Sequence, residues 1–144
     1  MKDLASEIKT LTAIKTQVAS GESVAITGYQ IDRLGFGSAI CAVQVGDTTG
    51  TPTTFGVVFK VQQSSGESAA AIASNWADVS GMSITFSGET VANQGRLSGE
   101  INLDLKPLGR YIRVVATPNF NGGSSPKVAL GAVVVLGEAA VTPV

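Results

Sequence analysis

Few side chains in this sequence are equipped for chemistry. Histidine is absent, which removes the usual general base, nucleophile activator and metal ligand, so catalytic triads and most zinc sites are excluded. Carboxylates, hydroxyls and one thiol remain. Glu100 and Asp104 are the pair to weigh, because two carboxylates can hydrolyse a glycoside. On a strand they share a face with Asn102, but four residues at about 3.3 Å each set them roughly 13 Å apart, beyond the ~5–9.5 Å that hydrolysis needs. A wet strand face fits that spacing better. Cys41 is in register with Ala39, Val43 and Val45, on an apolar face where a buried thiol keeps a raised pKa and stays inert. The run "GFGSA" at 35–39 lacks the later glycine and the lysine of a phosphate loop and reads as a turn entering a strand. Asp32, Asp47, Asp78 and Asp104 are too far apart in sequence to form a calcium loop. No catalytic residue, cofactor or metal site is expected, and the chain reads as a non-enzyme.

The remaining chemistry is recognition. In "LGRYIRVVATPNF", residues 108–120, two arginines sit three apart inside a strand-like run. On a strand Arg113 shares a face with Tyr111 and Val115, so its stem can cover apolar surface while its guanidinium reaches a carboxylate or a carbonyl. That pattern suits a wet rim or a subunit contact. Trp76, in "SNWADV", either plugs one end of the fold or stacks on a sugar ring; no second aromatic stands near it in sequence to build a platform, which favours the plug.

The totals say what such residues are mounted on. A chain of 144 residues is long enough for one domain with a self-standing core. It is 44% hydrophobic and 15% charged with a net charge of -1, a surface better suited to an assembly than to solitary life. The ten Lys and Arg are scattered, which argues against nucleic acid as a partner. A lone cysteine excludes an internal disulfide. The opening "MKDLASEIKT" places Asp3 and Glu7 where an export signal would be apolar, and no apolar run reaches membrane-span length, so a soluble chain without membrane partners is expected.

After residue 20 the sequence alternates apolar and polar residues in short runs cut by turn residues. In "TFGVVFKVQQ", Phe55, Val57, Phe59 and Val61 face one way while Gly56, Val58, Lys60 and Gln62 face the other; Met82, Ile84 and Phe86, and Ile101, Leu103 and Leu105, repeat the pattern. Turns are expected at 46–53, 64–68, 79–81, 93–99 and 118–126, with all five prolines at such boundaries or at the C-terminus. The fold class is all-β: an antiparallel β-sandwich, jelly-roll-like, over residues 21–144.

Two segments leave apolar surface over. In "KVALGAVVVLG", residues 127–137, Val133 and Val135 lie opposite a face that is already apolar, so this strand needs cover on both sides, from a loop or arm of the chain or from a neighbouring subunit. Residues 1–20 form an N-terminal arm whose Leu4, Ile8, Leu11, Ile14 and Val18 fall on one helical arc, while its β-branched residues favour an extended strand. Helix and extended arm both stay open. In either form the row of apolar side chains needs a partner.

The runs "MKDLASEIKTLTAI", "IDRLGFGSAICAVQVG", "TFGVVFKVQQSS", "WADV", "RYIRVVATPN" and "VVVLGEA", in this order over nearly the whole chain, resemble a family of small β-sandwich virion proteins of tailed bacteriophages, among them capsid decoration or cement proteins. One departure is "SSGESAAAIASNW", where relatives carry an acidic turn. The resemblance implies a protein made in the host cytoplasm that binds the outer surface of the phage head as a homo-oligomer, dimer or trimer, bridging major capsid protein subunits and stabilising the shell. With it, Leu4, Ile8, Leu11, Ile14, Val18, Arg113, Val133 and Val135 become the expected capsid or subunit contacts. Two other readings stand: a head–tail or tail component, and a carbohydrate-binding module for host attachment, since "RYIRV" is also similar to discoidin-like sandwiches.

Overall fold

The computed structural model describes residues 4–20, 23–89 and 97–140. Among the described residues a 3-10 turn at Leu4–Ser6 leads into nine strands: β1 (Lys9–Ser20), β2 (Ile26–Thr27), β3 (Ile31–Asp32), β4 (Phe36–Thr49), β5 (Thr54–Ser64), β6 (Ala77–Glu89), β7 (Leu97–Asp104), β8 (Tyr111–Asn121) and β9 (Lys127–Ala139), with one short helix, α1 (Ala69–Ser74), between β5 and β6. Sheet A has the order β1-β9-β4-β7; sheet B has the order β2-β8-β5-β6, with β3 also paired to β8. All pairings are antiparallel. First pairs with last, β2 and β3 with β8, β4 with β7 and β5 with β6, so the chain is one long hairpin rolled into two facing sheets. That nesting is the jelly roll.

The core lies between the sheets and follows from alternation. Ala39, Cys41, Val43 and Val45 of β4 and Val128, Leu130, Ala132, Val134 and Leu136 of β9 face Phe55, Val57, Phe59 and Val61 of β5 and Ile112, Val114 and Ala116 of β8, all buried. Phe59 meets Phe86 edge-to-face with ring centroids 6.0 Å apart, a geometry that aromatic quadrupoles favour. Gly99 of β7 supplies the room: a Cβ there would come within 2.5 Å of the Ile84 side chain and 3.1 Å of Phe86.

The N-terminal segment is resolved in favour of the extended form, and from Lys9 onward it is part of the sandwich. Strand β1 runs along β9 from Lys9↔Leu136 to Ser20↔Lys127, with irregularities between Thr12 and Ile14 and between Ile14 and Gln17. Those bulges explain the helix-like spacing. Each extra residue resets the inward parity, so Leu11 and Ile14 both pair with core-facing residues of β9, Val134 and Ala132, although they are three apart. Ile14 is thereby consumed by the chain's own core at 2% exposure, which corrects its expected role as a contact residue. At the bulge the two sheets are tied together, because the Ala13 carbonyl accepts a bond from Tyr29 N (2.8 Å) while Gly28 N donates to the Val114 carbonyl (2.8 Å). Only glycine fits there, since a Cβ on residue 28 would lie 2.4 and 2.5 Å from those two oxygens.

Two expected breaks fall inside strands, and a third leads into a helix. At 79–81 the chain bulges within β6, between the Lys60↔Ser83 and Gln62↔Asp78 pairs, with Gly81 at φ +75°. After 64–68 the helix α1 follows, capped by Ser68, whose Oγ accepts from Ala71 N at 3.2 Å. Pro118 is buried inside β8 and not at a boundary. Its carbonyl accepts from Ser23 N, so its backbone polar groups point to the side where β2 covers only two residues, and the missing N–H leaves β5 undisturbed. The turn at 93–99 falls mostly outside the described residues.

Candidate interaction surfaces

The outer face of sheet A is built by the residues that alternate with the core. Across the register, Thr10, Val135, Ile40 and Asn102 form one row; Thr12, Val133, Ala42 and Glu100 the next; and Gly131, Gln44 and Ser98 a third. Val18 stands beyond them, opposite Ala129. From β1 through β9 to β4 these positions carry no charge; acidic groups border them at Glu100 and Asp104 on β7, at Glu138 near the end of β9 and at the exposed Asp47 of β4. Ile40 and Val133 are 40% and 38% exposed, and Val18 60%. The small residues Ala42, Gly46, Ala129 and Gly131, framed by Thr12, Thr16 and Val133, leave a shallow groove of about 550 Å³ down the middle of this face.

Among the described residues no element of the chain covers this face of β9. Strand β1 satisfies the hydrogen-bonding edge of β9 but lies beside it, so the face carrying Val133 and Val135 stays open. Of the expected contact residues, Val18, Val133 and the half-buried Val135 are gathered here; Leu4 is exposed at the 3-10 turn; Ile8 is half-buried before β1; Leu11 is half-buried against the core. Ile40 and Ala42 were legible in "SAICAVQVG" as the face opposite Cys41, and the register of β4 against β9 is what brings them to Val133.

The outer face of sheet B is polar and linked. Lys60 Nζ donates to Asp78 Oδ2 (2.9 Å), Gln62 Nε2 donates to Asp78 Oδ1 (2.7 Å), and Arg113 Nε donates to Gln62 Oε1 (2.8 Å). The Arg113 guanidinium lies 4.2 Å from the centre of the Trp76 ring, a cation–π distance. The Gln62 amide, and after it Lys60, hold the Asp78 carboxyl below its ordinary range, and burial lowers the pKa of Arg113. As expected, Arg113 shares its face with Tyr111 and Val115, but its nearest acceptor is an amide. Trp76 is half-buried against Arg113 and outside the core, so it is not a plug of the sandwich. Its link to Arg113 arises because the β5–β6 register brings Asp78 opposite Gln62, which the spacing of the residues does not reveal.

Arg110 serves the fold at one end of the sandwich. Its Nε and Nη2 donate to the two oxygens of Asp32 at 3.0 and 2.7 Å, and this hydrogen-bonded cation lowers the Asp32 pKa. Arg33 donates to the carbonyls of Gly109 and Leu108, pinning the β7–β8 connection to the β3 end. Cys41 is buried, and desolvation pushes its thiol up to about 12. Glu100 and Asp104 lie on the outward side of β7, exposed. Among the described residues no group of three His, Cys, Asp or Glu side chains is placed to hold a metal ion, and no helix is long and apolar enough to cross a membrane.

The fold and these faces define a single-jelly-roll β-sandwich with an uncharged strip on the outer face of one sheet and a polar, linked face on the other. No family model and no curated protein sequence matches the chain. Among solved structures it is similar to the infectious bursal disease virus VP2 subviral particle, with a TM-score of 0.54 and 11% identity over 94% of this chain and 33% of that one. Looser likenesses include the desmodium yellow mottle tymovirus (TM-score 0.39, 9% identity, 94% of this chain and 90% of that one) and the SPBc2 prophage-derived protein YomS (0.37, 13%, 90% and 94%). The chain thus spans about a third of the length of the VP2 chain it matches. At this identity the VP2 likeness shows the fold: a sandwich that also occurs as part of a viral capsid protein.

Proposed function

We propose that this chain is a virion structural protein, and specifically a bacteriophage capsid decoration protein that seats the outer face of sheet A on its neighbours in the shell. Jelly rolls serve capsid proteins, lectins and cupins alike, so the fold by itself does not choose among them. The observation that carries the reading is the uncharged strip running over β1, β9 and β4 around Val133 and Ile40, left open among the described residues. Open apolar faces of this kind mark association sites. The similarity to a VP2 sandwich and the sequence resemblance to phage virion proteins support the same role. The partners are then the major capsid protein and further copies of this chain, on the outer capsid surface, with no turnover of any substrate.

The strip is about 25 Å long and about 14 Å wide, roughly 350 Å², less than half of the ~800 Å² that a standard partner surface buries. A single contact of that size is weak. Many contacts around a shell, or an oligomer that engages several subunits at once, supply the missing affinity. The sugar-binding reading has less support, because the Arg113 guanidinium occupies a face of the Trp76 ring on which a sugar would stack.

Copy number in purified virions tests the proposal. Near-stoichiometric amounts of this chain relative to the shell protein are expected; a handful of copies per particle assigns it to the neck or tail, and absence from virions refutes the virion role.

A further inference from the structure

The polar face of sheet B holds a cation without a counter-charge. Arg113 uses Nε on the Gln62 amide oxygen and its flat face on Trp76. Among the described residues no carboxylate meets its guanidinium, and the terminal Nη edge has no partner. The nearest candidate, Asp78, is already engaged by Lys60 and by the Gln62 amide N–H. The Gln62 amide therefore stands between the two charges: it gives its N–H to the carboxylate and its oxygen to the guanidinium, holding both side chains while keeping them apart. The neighbouring Lys60 charge is compensated by Asp78 at 2.9 Å.

We infer that Arg113, fixed by Gln62 and Trp76, is a preformed receptor for one carboxylate, supplied by an Asp or Glu side chain of a partner protein. A guanidinium whose stem and plane are already immobilised has little entropy left to lose on binding, and its two free terminal N–H groups match the two oxygens of a carboxylate. The site offers one uncompensated positive charge, which suits a monoanion; a phosphate would call for further cations or donors. Arg and Trp side by side on a half-buried patch also have the composition of an interface hot spot. The site lies on the face opposite the uncharged strip and stands whether or not the chain belongs to a virion.

Trp76 is the only tryptophan in the sequence, so its fluorescence reports this site alone. The test titrates the full chain at low ionic strength with blocked triglutamate, and with blocked triglutamine as the neutral control. A saturable change in Trp76 emission with triglutamate alone is expected, lost in Arg113→Gln and weakened about tenfold or more in Arg113→Lys, which keeps the charge but not the planar fork. The Arg113 Nε–Hε resonance of the wild-type chain should move with triglutamate, a readout independent of how the variants fold. Equal responses to triglutamine, an unmoved Arg113 resonance, or binding retained in a folded Arg113→Gln chain would each overturn the inference. So would inorganic phosphate or glucuronate binding more tightly than triglutamate, the first pointing to a general anion site and the second to an acidic sugar.

Discussion

Val133→Asp separates folding from docking. The side chain points away from the core, is 38% exposed and is flanked on its row by Thr12 and Ala42. In the free chain a carboxylate there stays hydrated, and the cost is the weaker strand preference of aspartate, about 1 kcal/mol or less, or a few degrees in Tm for a chain of this size. In a docked state the same carboxylate sits in the middle of the strip, where none of the outward positions on its own row or the neighbouring rows of β1, β9 and β4 carries a cation to receive it. Burying it unpaired costs about 3 kcal/mol, close to a hundredfold in Kd. Sedimentation with assembled shells measures binding, and a thermal melt followed by circular dichroism checks the fold. Thr85→Asp, exposed on the outward side of β6 in the other sheet, introduces the same charge as a control and should bind as wild type does. A folded Val133→Asp chain that binds shells as tightly as the wild type would refute the assignment of this face.

Gly28→Ala should lower stability by about 1–3 kcal/mol in denaturant unfolding, because its methyl group collides with the Ala13 and Val114 carbonyls where the sheets are joined. With its thiol raised to about 12, Cys41 should be about one part in ten thousand thiolate at pH 8 and should resist alkylation until the chain unfolds, as thiol labelling with and without denaturant would show. The Asp32 carboxyl should titrate below the ordinary carboxylate value. Because its folded pKa is depressed, the bond to Arg110 contributes stability above the unfolded pKa and loses it as pH falls through the folded one. A carbon-detected NMR titration that places Asp32 at or above the ordinary value would contradict this.

Alternation carried most of the sandwich. The β5 run around Phe59, the apolar side of β4 around Cys41 and the two-sided apolar character of β9 were all readable, because side chains on a strand alternate strictly while the register holds. Where the register breaks, the reading failed for the same reason. The bulges in β1 left helix and extended strand both open, the bulge at 79–82 looked like a turn, and Pro118 looked like a boundary because which way its backbone points depends on neighbours far off in sequence. Of the surfaces, Val133, Val135 and Val18 were legible as surplus apolar residues. Ile14 was legible as apolar but not as core, since its burial depends on pairing with Ala132. The meeting of Arg113 with Trp76 through Gln62 and Asp78 is a product of two sheet registers, and nothing local announces it.

The nesting of strands has a consequence for timing. The uncharged strip is woven from the two extremities of the chain, β1 at its start and β9 at its end, with β4 at their side. During synthesis the inner hairpin of β5 and β6 can close early, but the strip comes into being only when the final strand is released and slots in beside the first. A polypeptide that lacks β9 therefore has neither the middle of the strip nor the strand that β1 and β4 both pair with.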